Sequence, residues 1–193
     1  MVRARIHTSE LSFLSNSGDI HPTTVDGTQR APAHITLRNA EPEDSQFLYQ
    51  VYASTRSDEM ALVDWTAEQK EVFTRMQFNA QTQHYLANYP KAEYRIIQGD
   101  QFLLGRIIVN RSDQAILLLD IALLPQYRHA GIGTSLLKDL LAEAARLHMP
   151  VFLHVEAFNP ALRLYERLGF VKTGEQGLYF EMTWTPQGTT SQI

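Results

Sequence analysis

Leu117-Leu118-Leu119-Asp120-Ile121-Ala122-Leu123-Leu124 is an apolar run broken by a single acid, and Pro125 closes it. That composition suits a strand buried on both faces, and a proline, lacking an N–H, cannot continue the ladder. Arg128-His129-Ala130-Gly131-Ile132-Gly133-Thr134 follows. Next comes a pattern with Leu136, Leu137, Leu140, Leu141, Ala144 and Ala145 on one helical face. The first-turn N–H groups of that helix have no intrahelical partners, and its dipole favours an anion there. Gly131 and Gly133 carry no Cβ, so a phosphate oxygen can come close to the backbone. Arg128 adds a positive charge at the same end. Strand, glycine turn and helix together predict a cradle for a diphosphate.

Other nucleotide-binding turns do not match. A dinucleotide fingerprint needs G-x-G-x-x-G directly after the strand, and a Walker A loop needs G-K-[ST], whereas no Lys precedes Thr134. The chain has 193 residues, 44% hydrophobic and 20% charged, enough for one globular domain with a full core. Its net charge of −4 argues against a nucleic-acid partner. No apolar run reaches membrane-spanning length, so no membrane partner is expected. The absence of cysteine removes thiolate nucleophiles, disulfides and cysteine metal sites, and leaves the cytoplasm as the default compartment. The seven histidines show no metal-ligand spacing, so no metal is expected. No G-x-S-x-G supports serine chemistry.

Taken in order, residues 1–33 read as a flexible N-terminal arm, rich in Gly, Ser, Thr and Pro from Ser15 to Pro32 and without periodicity. A single domain is expected over 34–185, and a polar tail over 186–193. Ile35 to Arg38 alternates as a first strand. A helix opens at Pro42-Glu43-Asp44 and runs to about Arg56, with Leu48, Val51, Tyr52 and Thr55 on one face. Residues 57–65 read as a loop. Thr66, with Gln69 three positions on, caps a second helix from Ala67 to about Asn88, with Phe73, Met76, Gln77 and Ala80 as its stripe. Glu93–Gln98 and Gln101–Val109 are strands about a Gly99-Asp100 turn. After the central helix, Val151–Ala157 is a strand and Asn159-Pro160 opens a short helix ending at Gly169. Phe170-Val171 and Gly177–Trp184 form a closing hairpin. The order is β-α-α-β-β-β-α-β-α-β-β, an α/β (α+β) mixed sheet with helices on both faces.

Two stretches in this order carry a family resemblance. Arg128-x-x-Gly131-x-Gly133, after a strand ending in Pro, is similar to the first acyl-CoA motif of the GNAT superfamily of N-acyltransferases. Asn159-Pro-Ala-Leu-Arg-Leu-Tyr165-Glu-Arg-Leu-Gly169-Phe170 resembles the second. With the element order, the resemblance covers residues 34–185. It implies a twisted, mostly antiparallel sheet with splayed central strands, and acetyl-CoA as co-substrate. It further implies that Ile121, Ala122 and Leu123 offer backbone groups to the pantetheine arm, and that the Leu123 N–H holds the developing oxyanion. Backbone amides from Arg128, His129, Ala130, Gly131, Ile132, Gly133 and Thr134 would bind the diphosphate. Asn159 would hydrogen-bond the cofactor, and Tyr165 would act as general acid on the departing thiolate.

An amine acceptor has a pKa of roughly 10, so freeing its lone pair at neutral pH costs about 4 kcal/mol. Many GNAT enzymes place an acid or His at positions matching Leu117 or Leu119, and both are Leu here. The candidate bases are Asp120 and Glu156. Alternation points Asp120 to the opposite face unless a bulge re-aims it, and it serves equally as a buried acid tied to a backbone N–H or an Arg. Glu156 lies on the next strand, near the splay, for acceptor contact or as base through water. Asp58, Glu59 and Asp64 suit either a cationic acceptor or a solvated loop. Tyr52, Phe73, Phe78, Tyr85 and Tyr94 read as core. The expected function is N-acetyl transfer to a primary amine of a small molecule or peptide by direct attack. The alternative is a non-catalytic acyl-CoA sensor of the same fold, motivated by the missing acids at 117 and 119. The resemblance also admits a homodimer.

Overall fold

The computed structural model describes residues 34–186, so the predicted arm, and the predicted tail except Pro186, lie outside the described residues. Eleven helices and strands follow the predicted order. They are β1 (Ile35–Asn39), α1 (Ser45–Ala61), α2 (Ala67–Asn88), β2 (Glu93–Gly99), β3 (Phe102–Arg111), β4 (Ile116–Leu123), α3 (Ile132–Leu147), β5 (Val151–Glu156), α4 (Leu162–Arg167), β6 (Val171–Gln176) and β7 (Tyr179–Trp184). The strands make one seven-stranded sheet in the order β1-β2-β3-β4-β5-β7-β6, antiparallel throughout except at β4–β5. Among the described residues no helix is long and apolar enough to cross a membrane.

Each face of the sheet has its own apolar cluster. On one, Leu137, Leu140, Leu141 and Ala144 of α3 and Tyr165 of α4 pack with Ile116 and Leu118 of β4 and Val151, Leu153 and Val155 of β5. A smaller cluster of Tyr49, Tyr52 and Phe78 joins α1 to α2. Gly169 ends α4 at φ +92, a conformation open to glycine at little cost, and a Cβ there would sit 3.4 Å from the Trp184 indole.

Strand β4 is irregular along both of its edges. Val109 of β3 faces Leu118, but Ile108 faces Asp120, so Leu119 is the extra residue of a β-bulge. The bulge reverses the alternation: Leu118 points towards α3, and Asp120 turns to the α1–α2 face, where it meets Arg106. On the other edge, β4 pairs with β5 only at Ile116↔Val151, Leu117↔Phe152 and Leu118↔Leu153. Beyond that point β4 runs on to Leu123 and β5 to Glu156 without pairing to each other. The sheet is split between them.

Several expected extents are corrected. Helix α1 continues through Ala61, so Asp58 and Glu59 belong to a helix rather than to a 57–65 loop, and Thr55 faces solvent. The Thr66–Gln69 capping box is present, with reciprocal bonds of 3.2 and 2.9 Å. The buried positions of α2, however, are Thr74 and Phe78, while Met76 and Ala80 are exposed. The inward face is partly polar because a buried arginine below it needs an acceptor, which Gln81 supplies. Helix α4 starts at Leu162, since Asn159 Oδ1 accepts the Ala161 N–H (2.9 Å) and caps a preceding turn. Strand β6 extends to Gln176, hidden in the sequence by its polar composition.

Candidate active site

The open end of the split has two lips. Leu124 N–H donates to Leu104 O of β3 (2.9 Å). Backbone groups alternate along a strand, so Leu123 and Ile121 turn their N–H and C=O away from β3, into the split. Ala122 between them, opposite Arg106, turns its groups to β3. Beneath the lip, Pro125–Tyr127 makes one 3₁₀ turn that seats Tyr127 in the core, and His129 (φ +62) and Gly131 (φ +82) swing the chain into α3. The first intrahelical N–H bond of α3 is Ser135 to Gly131 O (3.0 Å), which leaves the amides of Ile132, Gly133 and Thr134 for an anion. A Cβ on Gly131 or Gly133 would meet nothing within 4 Å, so both glycines border open space. The residues present fit a diphosphate.

Arg128 does not point there. Its Nε donates to Leu123 O (2.9 Å), and a terminal nitrogen donates to Ser54 O and Oγ of α1, both at 3.0 Å. The predicted phosphate cation is a strut between the β4 lip and α1. Its N–H is spent as well, donating to Pro125 O at 3.2 Å, so the predicted cradle amides begin at His129. Asn159 spends Oδ1 on the Ala161 N–H.

On the α1–α2 side, Asp120 Oδ2 accepts from Arg106 Nε at 2.6 Å. Arg106 is 3% exposed and also donates to Gln81 Oε1 (3.1 Å), with Leu48 O at 3.5 Å. Its guanidinium lies 5.7 and 5.8 Å from the Tyr52 and Phe78 ring centroids. Asp120 is thus the acid tied to an Arg, although its Oδ1 has no partner among the described residues. Tyr85 OH donates to Leu119 O (3.0 Å) at the bulge; burial, then the Asp120 charge, pushes this phenol far up. On the opposite face Tyr165 is 7% exposed, its ring 5.7 Å from that of Phe170. Burial first, and Asp120 second, hold its hydroxyl protonated well beyond the usual phenol range. Tyr85 and Tyr165 thus feel the same carboxylate from opposite sides of the sheet.

Glu156 stands on the β5 lip. Its Oε1 accepts from a terminal nitrogen of Arg56 (3.0 Å) and from the hydroxyl of Tyr179, its cross-strand partner (3.3 Å). The same Arg56 nitrogen also donates to Glu59 (3.0 Å). Burial works against the Arg56 charge, but Glu156, Tyr52 and Glu59 hold it firmly protonated. Burial, then the Glu156 charge, pushes the Tyr179 phenol up. Arg56, Arg106 and Tyr179 are site residues that the sequence reading missed. They sit at a helix turn, on a strand and beside a hairpin, and only pairing brings them together.

The fold has counterparts among known proteins. The PaiA N-acetyltransferase of Thermoplasma acidophilum, solved in complex with coenzyme A, is 21% identical over 79% of this chain and 99% of that chain, with a TM-score of 0.60. The spermidine N-acetyltransferase of Vibrio cholerae, solved with coenzyme A and spermine, is 20% identical over 78% of this chain and 95% of that one (TM-score 0.53). A GNAT family acetyltransferase of Elizabethkingia anophelis, with acetyl-CoA bound, is 16% identical over 79% and 99% (TM-score 0.53). At these identities the likeness is one of fold. No protein of curated function matches the sequence. The sequence model of the acetyltransferase (GNAT) family matches residues 48–170, from within α1 to the end of the second motif, and the chain therefore belongs to that family of acyl-CoA-dependent acetyltransferases.

Proposed function

We propose that the protein transfers an acetyl group from acetyl-CoA directly to a primary amine of a small molecule or peptide, within a domain spanning residues 34–185. The observation that carries this reading is the split past Leu118 and Leu153, with the Leu123 N–H turned into it and the free amides of α3 beside it. When bound, acetyl-CoA supplies an activated acyl group as a thioester. Amides from His129 to Thr134 hold its diphosphate, and Ile121 and Leu123 align the pantetheine arm, with Ala122 spacing them. The Leu123 N–H polarises the thioester carbonyl and steadies the oxyanion. Asp120, through Oδ1, takes the amine proton directly or through water, while Glu156 Oε2 faces the acceptor. Tyr165 gives its proton to the thiolate, whose pKa of roughly 8.5 makes a positioned phenol useful. Asn159 keeps its amide nitrogen for the cofactor. The enzyme known with spermine bound in the same fold supports a small-molecule amine as acceptor. A cytoplasmic protein without nucleic-acid or membrane partner, alone or as a homodimer, accords with this reading.

A second reading, an acyl-CoA sensor, draws on the guanidinium partners of both candidate bases. Thiol release from acetyl-CoA with a panel of amines tests the two. Release with at least one amine supports transfer; tight coenzyme A binding without release from any amine leaves the sensor.

A further inference from the structure

Once β4 and β5 stop pairing, the ladder no longer fixes the distance between Leu123 and Glu156. Two of the side-chain ties that join the lips to α1 fall on a single turn of that helix. Ser54 holds the β4 lip through Arg128, which also grips Leu123 O, a contact 74 residues apart in sequence. Arg56, two residues on, holds the β5 lip through Glu156, 100 residues away. Both ties are partly buried, where charge-assisted bonds are worth more than at the surface. Arg56 also lies 5.7 Å above the Tyr52 ring, and Tyr52 is packed against Phe78 of α2, so this end of the brace is backed by the second cluster.

We infer that α1 braces the split, and that the Arg56–Glu156 tie is a positioning device fixing how large an acyl group the opening accepts. The inference rests on the proposed acetyl-CoA reading. A thioester aimed at Leu123 must lodge its acyl tail between the lips, under the Tyr52–Arg56 side of α1. A fixed aperture admits a methyl group and resists each added methylene. Arg56 touches neither the diphosphate cradle nor Leu123, so loosening it separates acyl size from cofactor grip.

The test is calorimetry on the full chain with coenzyme A, acetyl-CoA, propionyl-CoA and butyryl-CoA, which needs no knowledge of the acceptor. For the wild type, each added methylene should weaken binding about tenfold, the low end of what one methylene is worth in a fitted pocket. In Arg56→Gln that step should shrink to about threefold or less by the same measure, while affinity for coenzyme A itself stays within about twofold. The charge-swapped pair Arg56→Glu with Glu156→Arg should restore the wild-type steps, which a general loss of packing would not do. Unchanged steps in Arg56→Gln, with coenzyme A still bound, would overturn the brace alone. A wild type that binds no coenzyme A would overturn the acetyl-CoA reading itself. Parallel weakening of all four ligands in Arg56→Gln, unrestored by the swap, would reduce Arg56 to a structural role and also overturn the inference.

Discussion

Strands β4 and β5 are one pair of neighbours with two different lives. Over Ile116–Leu118 and Val151–Leu153 they are hydrogen-bonded, and Ile116, Leu118, Val151 and Leu153 pack with α3 in the core. Past those residues the same strands part, and their free backbone and side chains turn to polar partners from both faces. The closed half is held chiefly by apolar burial. The open half has given up the ladder between β4 and β5, and Leu119 O, Asp120, Leu123 O and Glu156 there are each held by a side chain from elsewhere in the fold. The closed half sets stability, and the open half sets chemistry.

The sharpest way to strain that division is to change one atom in the open half. Tyr165→Phe should lower kcat about 10²- to 10⁴-fold, the usual worth of a positioned proton donor, while coenzyme A affinity and melting temperature change little. Steady-state rates beside calorimetry check it, and equal kcat in the two proteins would remove the acid role. Next comes the closed half: Leu153, 2% exposed, should cost about 3 kcal/mol as Leu153→Ala, with coenzyme A affinity retained in the folded fraction. Denaturant melts check it. Gly105→Ala tests the boundary, because a Cβ there would run into Ala122 O and lie 2.9 Å from Leu123 Cα. Pushing that lip from behind should cost about 2 kcal/mol, and unlike Leu153→Ala it should also weaken acetyl-CoA binding.

Two smaller effects concern pH. The Arg111 fork grips Glu143 of α3 at 2.7 and 2.8 Å, tying the closed end of the sheet to its helix, and holds that carboxyl below its usual range. A depressed carboxylate stabilises the folded state at neutral pH, and the benefit is lost as pH falls through the acid range. Glu143→Gln should therefore cost about 1 kcal/mol at pH 7 after allowance for the partial exposure of both partners, and the gap from wild type should close as pH falls towards 3. The last expectation is a flat line. Because the Tyr165 hydroxyl is raised, it remains a donor through pH 10, so kcat should show no alkaline fall from this residue between pH 7 and 10. A fall there that vanishes in Tyr165→Phe would contradict the assignment.

The closed half was legible from sequence, and most of the open half was not. An apolar run, a proline, two glycines and a leucine face are local signals: they located β4 to within a residue at each end and marked the turn that leads into α3. The bulge at Leu119 depends on how β3 pairs, which no pattern within β4 reveals. Alternation alone would have kept Asp120 on the Leu118 face. Arg128 read as a phosphate cation because its neighbours in sequence suggested it, yet Ser54 and Leu123 O claim it in space. Arg56 carried no signal at all, as a charge near the end of a helix is ordinarily solvated. The inward stripe of α2 differs from the apolar pattern because Gln81 serves the buried guanidinium of Arg106 and Thr74 turns its hydroxyl back to Lys70 O. Long-range polar contacts, unlike apolar periodicity, leave no trace in local composition.

The indole of Trp184 behind Gly169 has a practical corollary. Trp184 pairs with Val151 at the root of β5, whereas Trp65, the other tryptophan, is 43% exposed with its ring 5.1 Å from Phe73. The two fluorophores report from different surroundings, one wet and one on β7 at the closed root of β5. Iodide should quench the outer signal first, and what is left is a built-in optical gauge of ligand arrival that needs no attached dye.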